Sequence, residues 1–583
     1  MNKNKKFEKT IGRDFDPIEM EIFSNRLMAI TEDMGNQLVR SSFSTNIKER
    51  RDCSVGLFDK FGRCICQGSN MPLHLGSLLG STNAVLERYS IEEMSEGDAF
   101  ICNDTYLANG THLPDISIVT PVFLNGSVQF FTANVGHHSD VGGRVPGSIS
   151  GSSKTIFEEG IRIPVIRIAR RGNIDADLLN LIVNNTREPL ERELDFRVQI
   201  ATNERGAAML EELARQHGLS QIENAINDLI DYTQTRVRNR ISEIKDGEYS
   251  FTRHMDDDGF MGELVHIKVT IRIEGEAITI DCSGSSPQAR GALNLTSSGL
   301  NAAAYYAVKS ILDPQLLPNS GLFDSIKVFS PSGTILNPEF PAAIGARSIT
   351  ANKVAGAIFG AFEEILPKER LMAASHDSVP VITFSGQRER GQDTYVYLES
   401  IGGGNGARHN RDGMDGVQVH TTNSTNLPVE SLESEYNLLV DEYSLVEDSG
   451  GAGKHRGGCG IARQIRALGE NITFSARSDN HVTTAPGIFG GSSGDIARLI
   501  RNYGTDKETA LDSKVSVLEL KLGESVRMET AGGGGFGSPK NRPLEKLRLD
   551  LISEKISPTF AEKNYGAAMV RDALSIDTRQ LWK

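Results

Sequence analysis

A single tryptophan, six cysteines and an apolar run that never approaches membrane-spanning length are the scarcities of this 583-residue chain. A span needs about 18 or more consecutive apolar residues, so no transmembrane helix is expected. The first residues, MNKNKKFEKTIGRDFDP, are charged and lead into no apolar core, which argues against a secretory signal peptide. The cysteines (Cys53, Cys64, Cys66, Cys102, Cys282, Cys459) are too few to staple a chain this long. Cys64 and Cys66 stand at CxC spacing without a matching downstream pair, unlike a zinc ribbon. Reduced packing thiols in a cytoplasmic protein are the expectation. Positive charge is short as well: 62 Lys and Arg against 76 Asp and Glu leave a formal net charge of −14. That argues against nonspecific binding to nucleic acid or to an anionic membrane. A P-loop is also missing. GGAGKHRGG holds a Gly-Lys pair, but His455 follows Lys454 where a hydroxyl is needed, and Asp448 stands where the first glycine belongs. HMDDDGFMGE lacks the alternating oxygens and final bidentate Glu of an EF-hand loop, so it reads as a turn.

What is present points to a globular α+β chain of several subdomains, with mixed β-sheets, flanking helices and glycine-rich loops. Hydrophobic residues are 38% and charged residues 24%, and glycine is frequent at 58. Met20, Phe23, Leu27, Ile30, Met34 and Leu38 recur at helical spacing, so 16–41 is an amphipathic helix, with Asp16 as cap and Pro17 at its first position. SVGLF and RCICQ flank a DKFG turn as a hairpin, and His74 stands just before a second helix. Amphipathic helices fill about 175–245. Ile267, Val269, Ile271 and Ile273 alternate with polar residues as a half-buried strand that turns back at Glu274–Gly275. Small-residue helices follow at 299–317 and 350–366. Between 397 and 540 the glycine clusters GGGNGAR, DSGGAGKHRGGCG, PGIFGGSSG and AGGGGFGSP read as wide turns in a β domain. The resulting division is 1–247, 248–396, 397–540 and a helical tail, 541–583.

One window gathers chemistry. Residues 101–147 place His112 and Asp115 at the end of one strand-like run, and His137, His138 and Asp140 one hairpin later, across an NGS turn. Three of the chain's 12 histidines fall within 27 residues there. If the strands pair across that turn, both clusters come to one end of a sheet. A mixed imidazole–carboxylate set suits Zn, Mn or Fe. Separate turn-capping roles fit the same spacing, which leaves the choice open. Asp52 in ERRDCS is a possible further ligand, or an ion-pair partner of its neighbouring arginines. His74 in PLHLG is a possible base or a satisfied turn histidine. Arg347, Arg408 and Arg456 could meet an anion or pair with acids.

Ten stretches taken together resemble the hydantoinase B/oxoprolinase family: ERRDCSVGLFD, QGSNMPLHLGSL, NDTYLANGTHLPDISIVTPVF, GHHSDVGGRVPGS, EEGIRIPVI, NTREP, GGGNGAR, NLPVESLESEYNLLV, DSGGAGKHRGGCG and GGGGFGSP, in order from about 15 to 580. The resemblance implies a B-type subunit of an ATP-dependent cyclic amide hydrolase, opening hydantoin, N-methylhydantoin, 5-oxoproline or lactam rings. ATP is then bound not by this chain but by a hydantoinase A-type ATPase subunit that phosphorylates the substrate oxygen, in a hetero-oligomer such as α2β2. It also implies a divalent metal held by Asp52, His112, Asp115 and His137. His138 and His74 become candidate bases, with Asp140 orienting His138. Relatives include ketone carboxylase α subunits of the acetone and acetophenone type, so carboxylation is the alternative activity. A third possibility is a noncatalytic partner that stabilises the ATPase subunit. Asn405 stands where many relatives carry an aromatic. The long C-terminal extension of acetone carboxylase α subunits is missing, which favours amide hydrolysis.

Overall fold

The computed structural model describes residues 17–68, 71–260, 262–388 and 394–576. Among them, 13 α-helices and four β-sheets form an α+β fold. The first helix, α1 (Pro17–Ser41), covers the predicted span and buries Leu27, Ile30, Met34 and Leu38. Asp16, its expected cap, lies outside the described residues. A short helix, α2 (Thr45–Lys48), follows, with the Ser44 hydroxyl accepting from the amide of Ile47.

The N-terminal sheet contains β1 (Cys53–Asp59), β2 (Cys64–Gln67), β3 (Ala99–Cys102), β4 (Asp115–Leu124), β5 (Ser127–His137), β6 (Ile166–Arg170) and β7 (Asn173–Ile174). Its order is β2-β1-β5-β4-β3-β6-β7, with every pair antiparallel. The helix α3 (His74–Arg88) packs on one face, and α1 packs with α5 (Pro189–His217) on the other, after α4 (Ala176–Val183). Side chains alternate between faces along a strand. On β5, Phe131, Ala133 and Val135 therefore join the core under α3, whereas Asn134 reaches the backbone of Gln199 on α5. Register then fixes the site, because Asp115 pairs with His137 and Cys53 with Gly136. Asp115 and His137 share the α3 face at one sheet end, and His138, one residue on, turns to the α5 face.

The helix α6 (Leu219–Ser242) leads to a second sheet of β8 (Gly247–Met255), β9 (Val265–Glu274), β10 (Ala277–Asp281) and β11 (Ile326–Phe329). Ile267, Val269, Ile271 and Ile273 are buried and their neighbours mostly exposed, as the alternation predicts. The three aspartates before β9 are spent structurally. Asp256 accepts from the amides of His481, Val482 and Thr483, Asp257 from Lys514, and Asp258 from Arg290. Helices α7 (Ser297–Leu312), α8 (Ser320–Phe323) and α9 (Arg347–Ala361) follow, and α9 is buried almost throughout.

Two further antiparallel sheets interleave in sequence: β12 (Val381–Gln387), β13 (Thr394–Ser400), β14 (Leu438–Leu445), β15 (Ile461–Ala467), β16 (Ile472–Arg477), β17 (Arg498–Arg501), β18 (Thr509–Ala510), β19 (Lys514–Leu520) and β20 (Ser525–Glu529). Their orders are β13-β12-β16-β19 and β14-β15-β20-β17-β18, around a core that includes Phe384, Tyr397, Ile465 and Phe474. Three short helices at 544–552, 558–565 and 567–575 close the described chain around Leu547, Ala561 and Tyr565.

Three of the glycine clusters, at 402–408, 448–460 and 531–539, are not wide turns but largely buried segments that pack backbone on backbone, whereas PGIFGGSSG is the expected turn, partly exposed with Phe489 and Gly490 at positive φ. Gly533 donates to the carbonyl of Gly458, Gly458 to Asn405, Gly451 to Gly533, Ala407 to Gly534, and Gly535 to Ser492. Each segment thus bonds to several neighbours rather than to one strand on either side. The missing β-carbon makes this approach possible. At Gly406, Gly457, Gly460 and Gly532 an added β-carbon would fall inside a neighbouring carbonyl group.

His376 lies beneath this bundle, fully buried, with neither ring nitrogen hydrogen-bonded. Burial lowers its pKa to about 4. The unfolded imidazole titrates near 6.5. As pH falls below that value, the unfolded chain takes up a proton that the folded chain refuses until about 4. Stability is therefore lost as pH falls through this window, by on the order of 3 kcal/mol for this residue. Urea unfolding between pH 7 and pH 4 is expected to show a shallower loss in His376→Gln than in the wild type; equal slopes would count against it.

Candidate metal centre

Five side chains from four places in the sequence meet at the end of the N-terminal sheet. Asp52 enters from the residue before β1, His74 from the first turn of α3, His112 from the turn before β4, Asp115 from the start of β4, and His137 from the end of β5. All five are buried, between 0 and 6% exposed. Ligand atoms of His112, Asp115 and His137 lie within 4.8 Å of one another. The rings of His112 and His137 are 4.9 Å apart. Asp52 joins through His74, whose Nε2 is 3.5 Å from Asp52 Oδ1 and 3.5 Å from Asp115 Oδ1.

The hydrogen bonds define what is left over. His112 Nδ1 donates to the carbonyl of Gly345 (3.2 Å), which can only accept. In the neutral ring the other nitrogen is then a bare lone pair, and Nε2 faces Asp115 Oδ1 at 3.0 Å. Burial, reinforced by Arg347 and opposed by Asp115, lowers the His112 pKa to about 4, so the ring is neutral near pH 7. Burial likewise sets the His137 pKa well below its ordinary value. Asn46 donates to His137 Nδ1 (2.8 Å) and to its carbonyl (3.0 Å), fixing the ring. Burial pushes the Asp115 carboxyl up, but Arg347, His112 and His74 carry it well below the carboxylate range. Arg347 and Thr111 both donate to its Oδ2. Asp52 goes the other way: burial raises it, only partly offset by His74 and Arg50. Asp52 Oδ1 and His74 Nε2 are buried without a hydrogen bond. A neutral imidazole lone pair facing an ionised carboxylate, with a second buried carboxylate oxygen unsatisfied nearby, is a donor set that a divalent cation fits.

The other expected residues lie elsewhere. His138, on the opposite face, meets Gln199 through Nε2 (3.1 Å) and packs 4.9 Å from the ring of Phe196. Burial, with Arg192 adding to it, lowers its pKa to about 4. The expected pairing of Asp140 with His138 is not made. Asp140 accepts from the amides of Gly142 (2.9 Å), Gly147 (3.0 Å) and Arg187 (3.0 Å) and from the Arg187 guanidinium (2.8 Å), which pins the loop after β5. Among the arginines, Arg347 holds Asp115, while Arg456 is neutralised by Asp415 and Asp550. Arg408 does not line the cavity described next.

Beside the five residues is a small cavity with free space of about 30 Å³, room for a water or two. Arg50, Arg347 and Arg477 line its polar side, and Ile149, Val379, Val381 and Leu398 form an apolar wall. Arg477, at the end of β16, and Ser348, on α9, carry no signal in the sequence, because nothing in SARSDN or GARSIT is spaced to the histidine window. Arg477 arrives on β16, where it pairs with Val381 of β12, and Ser348 arrives in the first turn of α9.

Known proteins resemble this chain over most of its length. The hydantoinase B/oxoprolinase family model matches residues 16–539. A protein assigned as the B component of a D-/L-hydantoinase in Pseudomonas sp. (strain NS671) is 30% identical over 97% of both chains. 5-Oxoprolinase of Dictyostelium discoideum is 33% identical over 91% of this chain, which spans only 41% of that longer protein. The crystal structure of ATP-dependent caprolactamase from Pseudomonas jessenii superposes with a TM-score of 0.87 at 27% identity, covering 97% of this chain and 98% of that one. Acetone carboxylase shares the fold, with a TM-score of 0.88 at 17% identity over 98% of this chain and 85% of that one. With its family model matched over most of its length, the chain belongs to the hydantoinase B/oxoprolinase family.

Proposed function

We propose that this chain is the metal-binding, ring-opening subunit of an ATP-dependent cyclic amide hydrolase, working with a hydantoinase A-type ATPase subunit that phosphorylates the ring carbonyl oxygen. The observation that carries the reading is the His112 lone pair turned onto Asp115 within the buried triad. The family membership and the likeness to an ATP-dependent caprolactamase support it. Asp52, His112, Asp115 and His137 would hold the metal, of the Zn, Mn or Fe kind. When bound, it supplies Lewis acidity toward a carbonyl or phosphoryl oxygen, or lowers the pKa of water toward 7.

The chain's own residues do the rest. Arg347 keeps Asp115 ionised, and Asn46 and Gly345 each fix the orientation of one of the two histidine rings. His74 Nε2, unbonded and between two carboxylates, is the ring nitrogen placed to take a proton from attacking water. One water adds to the activated carbon and the C–N bond breaks as the ring nitrogen takes a proton. A second water releases phosphate from the acyl phosphate. His138 is a positioning residue behind the sheet, tied to α5 through Gln199, and Asp140 shapes the loop that follows.

Coexpression with a hydantoinase A-type partner tests the assignment. The purified complex is screened against hydantoin, N-methylhydantoin, 5-oxoproline and small lactams, with and without bicarbonate. ATP-dependent ring opening without bicarbonate is expected. Bicarbonate consumption with a ketone and no ring-opened product would transfer the chain to the carboxylases. Full activity in a complex whose triad has been substituted would make it a structural partner.

A further inference from the structure

Arg477 is a buried cation with no acid beside it. It is 3% exposed, and among the described residues no carboxylate oxygen lies within 4 Å of it. Its Nη1 donates to Ser348 Oγ (3.1 Å), and its Nε has no partner. The other two arginines of the cavity are engaged. Arg347 is paired with Asp115. Arg50 has Asp52 at 3.7 Å and spends its donors on Asn46, the Leu398 carbonyl and Ser400. Burying an unpaired charge is among the most expensive things a fold can do, so such a group invites an anion.

A charge count gives the same answer. Arg50, Arg347 and Arg477 line the cavity with Asp52, Asp115 is paired with Arg347 beside it, and Glu159 accepts from the amides of Ile344 and Gly345. Counting Glu159 as ionised, three positive charges cancel three negative ones. Burial pushes Glu159 up to about 8, so the balance near pH 7 leans positive. A divalent cation on the triad adds two more positive charges. Ser348 is the second residue of α9, where the helix dipole contributes further positive potential.

We propose that Arg477 and Ser348, with Arg347 beside them, form an oxyanion site next to the metal triad that receives the phosphoryl group of the activated substrate. The proposal rests on the reading of the triad given above. A guanidinium matches phosphoryl and carboxylate oxygens alike, so the shared chemistry is an anionic oxygen group, and a carboxylate on the ring is the other source. The apolar wall must yield to admit it, because the cavity as it stands has free space of only about 30 Å³.

The test uses the full chain loaded with Mn²⁺, with inorganic phosphate and acetate as separate probes. Affinities come from equilibrium dialysis of labelled probe, with metal content measured on the same samples. Wild type is expected to bind phosphate more tightly than acetate. Arg477→Met should weaken phosphate by about tenfold or more, as loss of a charge-assisted hydrogen bond predicts, with metal content unchanged. Arg477→Lys should lie between. Unchanged phosphate affinity in Arg477→Met overturns the site, and Arg477-dependent acetate binding tighter than phosphate overturns the phosphoryl assignment. If no variant holds metal while phosphate binding still depends on Arg477, the metal reading falls and the anion site stands. Because Arg477→Met removes a buried charge with no carboxylate in contact with it, its metal-free thermal midpoint should equal or exceed the wild-type value; a lower midpoint makes Arg477 structural and counts against the proposal.

Discussion

Alanine at His112 or His137 is expected to empty the metal site and abolish ring opening, while the partner's ATPase partly survives. The two histidines are the right positions because the alternatives confound ligation with folding. Asp115 is the ion-pair partner of buried Arg347. Removing it strands that guanidinium, a loss of about 3–5 kcal/mol by analogy with other broken buried pairs, so a metal-free Asp115→Ala protein could simply be unfolded. Asp52 stands beside Arg50 with the same difficulty. His112 and His137 are neutral, and each leaves behind one unsatisfied group, the Gly345 carbonyl or the Asn46 amide. That loss is about 1–3 kcal/mol, which a chain of this size should survive. Metal analysis of dialysed protein, with unfolding curves to certify the fold, is the measurement. Folded variants with stoichiometric metal would sink the ligand assignment. Asn46→Ala provides a graded control, with affinity weakened by about 10–100-fold rather than lost, because it supports a ligand without being one.

How much of this is legible in the sequence differs from element to element. The helix over 17–41 and the strand with Ile267, Val269, Ile271 and Ile273 announce themselves because burial of one face imposes a period. The hairpin between β4 and β5 is readable from its NGS turn, and it does bring Asp115 opposite His137. The same period of two separates His137 from His138. The adjacent pair reads as one cluster in sequence, but a strand sends its members to opposite faces, and His138 goes to Gln199. Asp140 reads as a partner for His138, yet it lies in a loop whose amides claim it first. Arg477 carries no local signal, since its role arises from a contact made more than a hundred residues from Ser348 in the chain. The glycine clusters are visible in the sequence, but their cause is not. Turn formation is one use of glycine, and close approach of two backbones is another, with no distinguishing mark in sequence.

That second use carries a large expected effect on stability. Gly532→Ala places a β-carbon inside the carbonyl of Ser449, with Gly450 directly behind it. The neighbouring segments cannot part easily. Gly532 donates to Asp495 (3.2 Å), Gly533 to Gly458 (2.9 Å), and Gly451 back to Gly533 (2.9 Å), so widening one gap breaks bonds on its far side. The loss is expected at or above the upper end of the about 1–3 kcal/mol typical of overpacking. Gly126 supplies the comparison. It sits in the β4–β5 turn at φ +80°, with nothing within 4 Å of an added β-carbon. Alanine there suffers only the left-handed backbone conformation, about 1–2 kcal/mol. The two variants separate the two uses of glycine by urea unfolding: equal losses would refute backbone packing as the cause. The effect of Gly532→Ala should also reach the anion site. Gly534 donates to Ala374, and Gly404 accepts from His376, on the segment that enters β12 at Val381, directly opposite Arg477. Phosphate binding in Gly532→Ala is therefore expected to weaken even in any fraction that folds, while Gly126→Ala leaves it unchanged.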